Sequence, residues 1–275
     1  MPERTIHTPP ESRGEAKGRS RLVGRRVLVL GGGQMDIGEA DMPIGNGRAM
    51  SVLFAREGAT VAVADRDAAS AEATVAMIAR EAGKGFAIAA DATKEADIIR
   101  MIDKAVSDMG GLDALVLNVG IGAGGAWLEG TSAESWDKVF AVNLRSHMLT
   151  VKHALAKLAD GAAIVFISSI AGLTAGSRLP AYDASKAGLF GLSRHVAFEG
   201  ARRGIRANVI APGLMDTSIG RLASRGRPNR ATPPVPLGRQ GAGWETAYAA
   251  LFLISDESAY VTGQVLAVDG GLSGL

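Results

Sequence analysis

The sequence contains no cysteine among its 275 residues. This absence excludes disulfide bonds, thiolate catalysis and cysteine-ligated zinc, and it fits a protein of the reducing cytoplasm. Long apolar runs are also missing, since stretches such as Ala162–Ile167 are far too short to span a bilayer. The first residues, up to about Arg21, are polar and lack the apolar core of a secretory signal. We therefore expect a soluble, cytoplasmic protein that does not enter a membrane.

The chain has little net charge, because 30 lysines and arginines nearly balance 28 aspartates and glutamates. A formal charge of +2 argues against nucleic acid or an anionic membrane as the main partner. His147 and His195 have no cluster of further ligand residues near them in the sequence, so we expect no metal site. A small-molecule substrate is the partner that this composition favours.

Short apolar runs alternate with longer segments of helical spacing along most of the chain. The runs are Val27–Leu30, Thr60–Ala64, Gly85–Ala90, Ala114–Asn118, Ala162–Ser168, Arg206–Ile210 and Gln264–Val268. The helical segments are Gly47–Arg56, Ala68–Ala82, Glu95–Met109, Ala133–Ala159 and Tyr182–Arg203. Strictly alternating strands and helices predict a doubly wound α/β fold with seven parallel strands and helices on both faces.

The domain organisation follows from where this alternation begins. Residues 1–24 are rich in proline, glycine, serine and charge and have no apolar period, so we expect a flexible N-terminal arm. Residues 25–275 contain no interior linker and no repeat. They are expected to form a single domain.

A glycine-rich turn follows the first predicted strand, VLVLGGG, and a helix with a good apolar face begins near Gly45. Glycines at such a turn let the backbone approach a pyrophosphate, and the helix N-terminus offers free N–H groups. A turn without any ligand explains a glycine cluster equally simply. The next predicted strand ends in Asp65, where a carboxylate can accept hydrogen bonds from ribose hydroxyls.

Tyr182 and Lys186 are four residues apart in a predicted helix and therefore share one face. Alcohol oxidation needs a base for the hydroxyl proton, and a free tyrosine is a poor one at neutral pH. An ammonium one turn away favours the phenolate. By itself this spacing is as typical of an ordinary helix face as it is of a catalytic pair.

The segment SSIAGLTAGSRLPAYDASKAG, together with the glycine turn and Asp65, resembles the short-chain dehydrogenase/reductase family over about residues 25–272. The resemblance implies a Rossmann fold and a nicotinamide cofactor. It also implies that Ser169, thirteen residues before Tyr182, hydrogen-bonds the substrate oxygen. In the family, the backbone carbonyl of the residue matching Asn143 holds a water in the proton relay toward Lys186.

The same resemblance implies a set of cofactor-binding residues along the chain. They are Gly31, Gly45, Asn46, Gly47, Asp65, Arg66, Asp91, Ala92, Asn118, Gly120, Tyr182, Lys186, Met215 and Thr217. Asp91 would lie beside the adenine, although its position suits a helix cap equally well. LNVG at residues 117–120 departs from the family's usual NNAG, so the structural role of the first asparagine is lost.

The glycine turn departs from the family pattern in length. Fourteen positions separate Gly31 from Gly45 where the family has four, which implies an inserted loop at residues 34–43. A register that closes at Gly38 is rejected, because Asp36 would face phosphate and Pro43 would break the helix. The loop is either a tolerated surface insertion or a flap over the cofactor or the active-site mouth. We expect its acidic residues to face solvent or to pair with Arg25, Arg26 or Arg48.

The expected activity is NAD-dependent interconversion of a secondary alcohol and a ketone. Asp65 would repel the 2′-phosphate of NADP, although Arg66 beside it partly offsets that repulsion. Two alternatives are an NADPH-linked 3-oxoacyl reductase and a protein that senses NAD without chemistry. Enoyl reductases of related fold space their tyrosine and lysine more widely than Tyr182 and Lys186.

Two further expectations concern the substrate side and the assembly. Residues 218–243 are expected to form the substrate lid, with five arginines that could attract an anion: Arg221, Arg225, Arg227, Arg230 and Arg239. Candidate lining residues are Gly122–Trp127 and Arg178. The family resemblance implies a homotetramer built on the two long predicted helices, Ala133–Ala159 and Tyr182–Arg203.

Overall fold

The computed structural model describes residues 6–225 and 235–274. Its strands are β1 (Arg26–Leu30), β2 (Thr60–Asp65), β3 (Lys84–Ala89), β4 (Leu112–Leu117), β5 (Leu158–Ile167), β6 (Arg206–Pro212), β7 (Met215–Asp216), β8 (Gly241–Ala242) and β9 (Val265–Val268). The helices are α1 (Pro10–Arg13), α2 (Asn46–Arg56), α3 (Ala68–Arg80), α4 (Glu95–Met109), α5 (Ala133–Phe140), α6 (Ser146–Ala154), α7 (Pro180–Gly200), α8 (Ser218–Ser224) and α9 (Gly243–Ile254).

Seven strands form one parallel sheet in the order β3-β2-β1-β4-β5-β6-β9. From β1 the strands are added first on one side, as β2 and β3, and then on the other side, beginning with β4. The carboxyl ends of β1 and β4 therefore border a crevice of the kind in which doubly wound sheets bind ligands. Alternate residues of β1 serve the two faces: Leu28 and Leu30 pack toward α4 and α7, and Val27 and Val29 pack toward α2 and α9. The predicted seven-stranded, doubly wound sheet with helices on both faces is confirmed.

Two features of the helices differ from the prediction. The segment expected as one helix from Ala133 to Ala159 is divided into α5 and α6 by a π-helical turn at Ala141–Arg145. Helix α9 was not predicted, because its sequence is apolar on nearly every side and shows no helical period. It packs against α2 and the sheet and is buried along most of its length.

Residues 6–24, for which the sequence predicts a flexible arm, contact the rest of the domain at specific points, and residues 1–5 lie outside the described part of the chain. Leu22 is buried, with 1% of its surface exposed. The backbone N–H groups of Arg19 and Arg21 both donate to the carboxylate of Glu57, at 2.9 and 3.0 Å. A segment without an apolar period is held here by hydrogen bonds to one buried carboxylate, which composition does not reveal.

Within the residues that the structure describes, no helix combines the length and apolar character needed to cross a bilayer. The same residues contain no group of three histidine or acidic side chains that could share a metal ion.

Candidate active site

Helix α7 carries Tyr182 and Lys186 on one face. Pro180 occupies the first turn of the helix, where its fixed φ is favourable and its missing N–H costs nothing. The two side chains therefore start one turn apart, and the Lys186 Nζ lies 5.8 Å from the centre of the Tyr182 ring. The ammonium is thus close to the phenol that it was predicted to influence.

Lys186 is almost completely buried, with 3% of its surface exposed. Its Nζ donates a hydrogen bond of 2.9 Å to the carbonyl of Ile167, at the end of β5. A Cβ added to Gly120 would lie 3.0 Å from the same Nζ, so only glycine leaves room there without a shift of the lysine. Burial lowers the pKa of Lys186 to about 8. The ammonium is therefore charged at neutral pH yet close to its titration range.

The two consecutive serines after β5 have different surroundings. Ser168 is buried and its hydroxyl donates to the backbone carbonyl of Lys186 at 2.8 Å. Ser169 caps a 3₁₀ turn, and its Oγ accepts a hydrogen bond of 3.2 Å from the N–H of Ala171. As an acceptor in that bond, Ser169 retains its own proton for a further partner.

Asn143 lies in the π-helical turn and is completely buried. Its side-chain oxygen accepts from the N–H of Ile121 at 2.8 Å, and its amide nitrogen donates to the Ile121 carbonyl at 3.0 Å and to Ser185 at 3.1 Å. The sequence predicted a role for the Asn143 backbone and missed this one for its side chain. Asn143 therefore joins the loop after β4 to the helix that carries Lys186.

His147 is a second buried link to the same loop, one turn beyond Asn143. Its Nε2 lies 3.0 Å from the carbonyl of Val119, so Nε2 carries the proton and donates it. Burial, together with the charge of Lys186, lowers the pKa of His147 to about 3. His147 is therefore neutral at physiological pH, and its hydrogen bond to Val119 positions the loop beside Lys186.

The predicted pyrophosphate turn lies between β1 and α2. Gly31 directly follows β1 and has a φ of 82°, in the left-handed region that favours glycine. A Cβ on Gly47 would come within 1.9 Å of the Gly31 carbonyl, so glycine is required where α2 packs on the strand end. Asn118 donates to that carbonyl at 2.8 Å. Gly31, Gly47 and Asn118 thus meet at one point.

The start of α2 fits an anionic ligand. Gly45 is the N-cap residue in extended conformation, and its N–H donates to the side chain of Gln34 at 2.8 Å. The N–H groups of Asn46 and Gly47 donate to none of the described residues. Free N–H groups at the positive end of a helix are suited to phosphate.

Asp65 ends β2 beside this turn. One carboxylate oxygen accepts from the N–H of Gly33 at 3.0 Å, and the other accepts from the N–H of Asp67 at 3.1 Å. The carboxylate is therefore fixed next to the glycine turn, where a ribose would lie. Arg66 is exposed to solvent.

Asp91 lies after β3, at the same edge of the sheet. Its Oδ1 accepts from the N–H and the hydroxyl of Thr93, at 3.0 and 2.7 Å, and these bonds lower the pKa of the carboxyl. The alternative of a helix cap is wrong, because α4 begins at Glu95 with Lys94 as its N-cap residue. Ala92 is buried beside it.

Met215 and Thr217 follow β6, at the other side of the crevice. Met215 is buried in β7, which pairs with β8 in a small second sheet. The Thr217 hydroxyl caps α8 by accepting from the N–H of Gly220 at 3.2 Å. The hydroxyl oxygen of Thr217 is thus an acceptor within α8, and the hydroxyl proton remains available to donate to another group.

The inserted loop does not pair with the arginines that were expected. Arg25 and Arg26 pair with Asp256 and Asp113, and Arg48 donates to Thr74. The Glu39 carboxylate instead binds Arg221 at 3.0 Å and Arg225 at 3.2 Å, both on or just after α8. Such long-range pairing has no signal in the local sequence.

Gln34 holds the two ends of the inserted loop together. Its amide nitrogen donates to the Pro43 carbonyl at 3.1 Å, while its oxygen accepts from Gly45. Ser70, at the start of α3, accepts from the Gln34 N–H at 2.6 Å. Gly38 lies in the exposed part of the loop with a φ of 72° and no atom within 4 Å of a built Cβ.

Part of the expected substrate lid is visible. Residues 218–225 contain α8, and residues 235–243 lead through β8 into α9, whereas residues 226–234, with Arg227 and Arg230, lie outside the described residues. Arg239 is paired with Glu245 at 2.6 Å. Three of the five lid arginines, Arg221, Arg225 and Arg239, therefore already bind carboxylates of the protein itself.

Comparison with known proteins agrees with this arrangement. A sequence model described as enoyl-(acyl carrier protein) reductase matches residues 43–273. The chain is 35% identical to 2-(S)-hydroxypropyl-CoM dehydrogenase 3 of Xanthobacter autotrophicus, over 93% of this chain and 99% of that protein. It is 36% identical to a 3-oxoacyl-(acyl-carrier-protein) reductase of Thermotoga maritima, over 92% and 99% of the two chains.

The fold comparison gives the same result. A crystal structure from Burkholderia xenovorans, described as a short-chain dehydrogenase/reductase, superposes with a TM-score of 0.83 at 36% identity, over 93% of this chain and 98% of the other. Members of this family are oxidoreductases that use a nicotinamide cofactor. The chain belongs to the short-chain dehydrogenase/reductase family.

Proposed function

We propose that this protein is an NAD(H)-dependent oxidoreductase that interconverts a secondary alcohol and a ketone. The observation that carries the proposal is the buried Lys186 ammonium, 5.8 Å from the centre of the Tyr182 ring and one turn along the same helix. A structural lysine would gain nothing from burial beside a phenol, since desolvation of an ammonium is unfavourable. A lysine whose role is to stabilise the Tyr182 phenolate must lie close to that ring, even though its burial is unfavourable.

In the proposed reaction, Tyr182 removes the proton of the substrate hydroxyl and Ser169 donates a hydrogen bond to the same oxygen. Lys186 stabilises the phenolate before the proton arrives, and the proton then leaves Tyr182 through the hydrogen bonds of Lys186, whose Nζ has two donors left besides the bond to Ile167. Asn143 would continue the proton relay through its backbone carbonyl. The nicotinamide, when bound, supplies the hydride acceptor or donor.

The cofactor is held, in this proposal, by the glycine turn and Asp65. The free N–H groups of Asn46 and Gly47 receive the pyrophosphate, and Asp91, Ala92, Asn118 and Gly120 line the rest of the crevice. Asp65 accepts from the adenosine ribose and repels a 2′-phosphate, which favours NAD over NADP. Met215 and Thr217 would bind the carboxamide of the nicotinamide.

The alternatives are less well supported. An NADPH-linked 3-oxoacyl reductase, the activity named for the Thermotoga relative, would need Asp65 to tolerate a second negative charge. An enoyl reductase is disfavoured by the three-residue gap between Tyr182 and Lys186. A sensor of NAD without chemistry would have no use for the buried lysine. The Xanthobacter relative, named a dehydrogenase, is consistent with alcohol oxidation.

The test is a spectrophotometric screen that follows the absorbance of the reduced nicotinamide. Purified protein would be given NAD+ or NADP+ with cyclic and acyclic secondary alcohols, and the corresponding ketones with NADH or NADPH. We expect turnover with NAD(H) that is lost in Tyr182→Phe. Selective use of NADPH with 3-oxoacyl thioesters would support the first alternative. Tight NAD binding without turnover of any alcohol or ketone would support the sensor.

We also propose that the protein is a cytoplasmic homotetramer with subunit contacts on α5, α6 and α7. Phe198 of α7 is 84% exposed in the single chain and offers a large apolar side chain for such a contact. Light scattering after size-exclusion chromatography tests this assembly. A tetramer that Phe198→Glu dissociates would support it, and a monomer at assay concentration would refute it.

A further inference from the structure

Four of the described residues that are not glycine have left-handed backbone conformations. Ser20 and Ala82 are small, whereas Trp127 and Arg178 have large side chains and φ values of 65° and 68°. For side chains of this size that conformation costs on the order of 1 kcal/mol each. Trp127 lies in the loop after β4, and Arg178 lies in the loop before α7. Strain of this kind persists only where surrounding contacts hold it in place, and it is common at ligand sites.

The contacts that hold the two residues are to each other. The N–H of Trp127 donates to the carbonyl of Arg178 at 2.9 Å. The Arg178 guanidinium carbon lies 5.7 Å from the centre of the Trp127 ring, within the range of a cation–π interaction. An arginine that packs against an aromatic ring retains the N–H donors at its edge, and these match an oxyanion in geometry.

Arg178 carries a charge that no carboxylate among the described residues balances. It forms no ion pair there, unlike Arg221, Arg225 and Arg239 of the predicted lid. The side chain is exposed, and Trp127 beside it is 63% exposed, which is high for a tryptophan. An exposed and unpaired cation, fixed against an exposed ring, is an arrangement suited to binding an anion.

Both loops connect directly to the predicted catalytic residues. The first follows β4, passes Gly120 beside the Lys186 ammonium, and reaches Trp127 seven residues later. The second runs from the turn capped by Ser169 to Tyr182, and Arg178 precedes that tyrosine by four residues. Leu179 also lies 3.7 Å from a Cβ built on Gly122, so the loops meet there as well. The two loops thus flank the proposed site, and Arg178 and Trp127 form their contact where the loops meet.

We propose that Arg178, held by Trp127, recognises an oxyanion at the end of the substrate remote from the reacting hydroxyl. The substrate class is then a secondary alcohol or ketone that also carries a carboxylate, sulfonate or phosphate group. This inference rests on the proposed function and names its substrate class. Trp127 acts as a positioning residue, since it contacts the guanidinium and restricts its motion.

The experiment compares charged and neutral substrates of equal shape. Methyl ketones with a terminal carboxylate on chains of increasing length would be reduced beside their methyl esters, with sulfonate and phosphonate analogues as further arms. Arg178→Asn and Arg178→Gly both tolerate a positive φ, so the loop keeps its conformation. Arg80→Gln, an exposed arginine near the end of α3, is the matched control.

For the wild-type protein we expect a higher kcat/KM for at least one anionic ketone than for its ester. Both Arg178 variants should lose about 10- to 100-fold in kcat/KM on the anion and change little on the ester, as loss of a charge-assisted hydrogen bond predicts. Trp127→Leu should raise KM for the anion more than it lowers kcat. The oxyanion that Arg178 recognises is identified as the one, carboxylate, sulfonate or phosphonate, whose kcat/KM falls most in the Arg178 variants.

A wild-type protein that prefers the esters would overturn the inference. So would Arg178 variants that lose activity equally on both members of each pair, because that result indicates a structural role. Tyr182→Phe assayed on the neutral esters reports on the proposed chemistry separately. Loss of ester turnover there, with unchanged charge preference in the Arg178 variants, would leave the proposed function intact and remove the substrate assignment.

Discussion

The Glu39 carboxylate in the inserted loop lies 3.0 Å from the guanidinium of Arg221, 182 positions farther along the chain. Arg221 also binds Asp216 at 2.8 Å, directly between Met215 and Thr217. The inserted loop is therefore connected, through one guanidinium, to the segment that we propose binds the nicotinamide. The contact holds the loop beside that segment, which is the position that a flap over the cofactor requires.

Glu39→Gln should weaken cofactor binding, because it removes the charge that holds α8 against the inserted loop. The pair is about one-third exposed, so we expect a modest rise in Kd for NAD+, about two- to fivefold, that diminishes at high salt. Asp41→Asn in the same loop is the control. Titration calorimetry provides the measurement. Equal Kd values in wild type, Glu39→Gln and a protein lacking residues 34–43 would leave the loop a tolerated insertion.

Asp65→Ser should shift the cofactor preference toward NADP. Removal of the carboxylate ends its repulsion of the 2′-phosphate and leaves Arg66 free to attract it. The measurement is the ratio of kcat/KM for NAD+ to that for NADP+, which we expect to fall by at least about tenfold. Asp67→Ser, two residues along, serves as the control. An unchanged ratio would show that Asp65 does not contact the ribose.

The stability of the fold should decline in mild acid because of His147. Its pKa is about 3 in the folded protein, and it returns to about 6.5 on unfolding. The unfolded chain therefore binds a proton that the folded protein excludes, and stability present above pH 6.5 is lost as the pH falls toward 3. By pH 5 this loss amounts to roughly 1–2 kcal/mol.

The comparison that isolates this effect is His147→Gln, which keeps an N–H donor for the Val119 carbonyl but does not titrate. Urea unfolding at pH 7 and pH 5 should show a smaller loss of free energy in His147→Gln than in wild type. His195→Gln, whose side chain is 72% exposed, should behave as wild type. Identical pH dependence in all three proteins would mean that His147 is not buried as a neutral ring.

Arg21→Ala should destabilise the protein, since it removes the guanidinium that binds Glu57 at 2.6 Å. Burial raises the pKa of Glu57, and the hydrogen bonds from Arg21 and Arg19 outweigh that effect and lower it below its usual range. We expect a loss of about 1–3 kcal/mol in the free energy of unfolding, measured in urea. Arg19→Ala keeps its backbone N–H and should cost much less; equal losses would contradict the assignment.

Features that depend on the residues of a single strand or helix could be predicted from the sequence. Nearly continuous apolar runs identified all seven strands of the main sheet, because parallel strands are buried on both faces. The shared face of Tyr182 and Lys186 followed from helical periodicity alone. Helix α9 escaped prediction because it is buried on most sides and shows no period, and β7 and β8 have only two residues each.

Contacts between distant segments could not be predicted. Asn143 binds Ile121 across 22 positions and His147 binds Val119 across 28, and both bonds depend on how α5 and α6 pack beside β4. Local patterns contain no information on such pairs. The inserted loop shows the same limit, since the partners of Glu39 lie 182 and 186 positions farther along the chain.

The most direct test of the account is the rate of hydride transfer in a single turnover, with protein in excess over substrate and NAD+ saturating. Tyr182→Phe should lower that rate by about 10²–10⁴-fold, and Kd for NAD+ should change far less than the rate. Tyr260→Phe, which changes a fully exposed tyrosine, should have no effect. A Tyr182→Phe protein that transfers hydride at the wild-type rate would contradict the proposal that this phenol is the acid and base of the reaction.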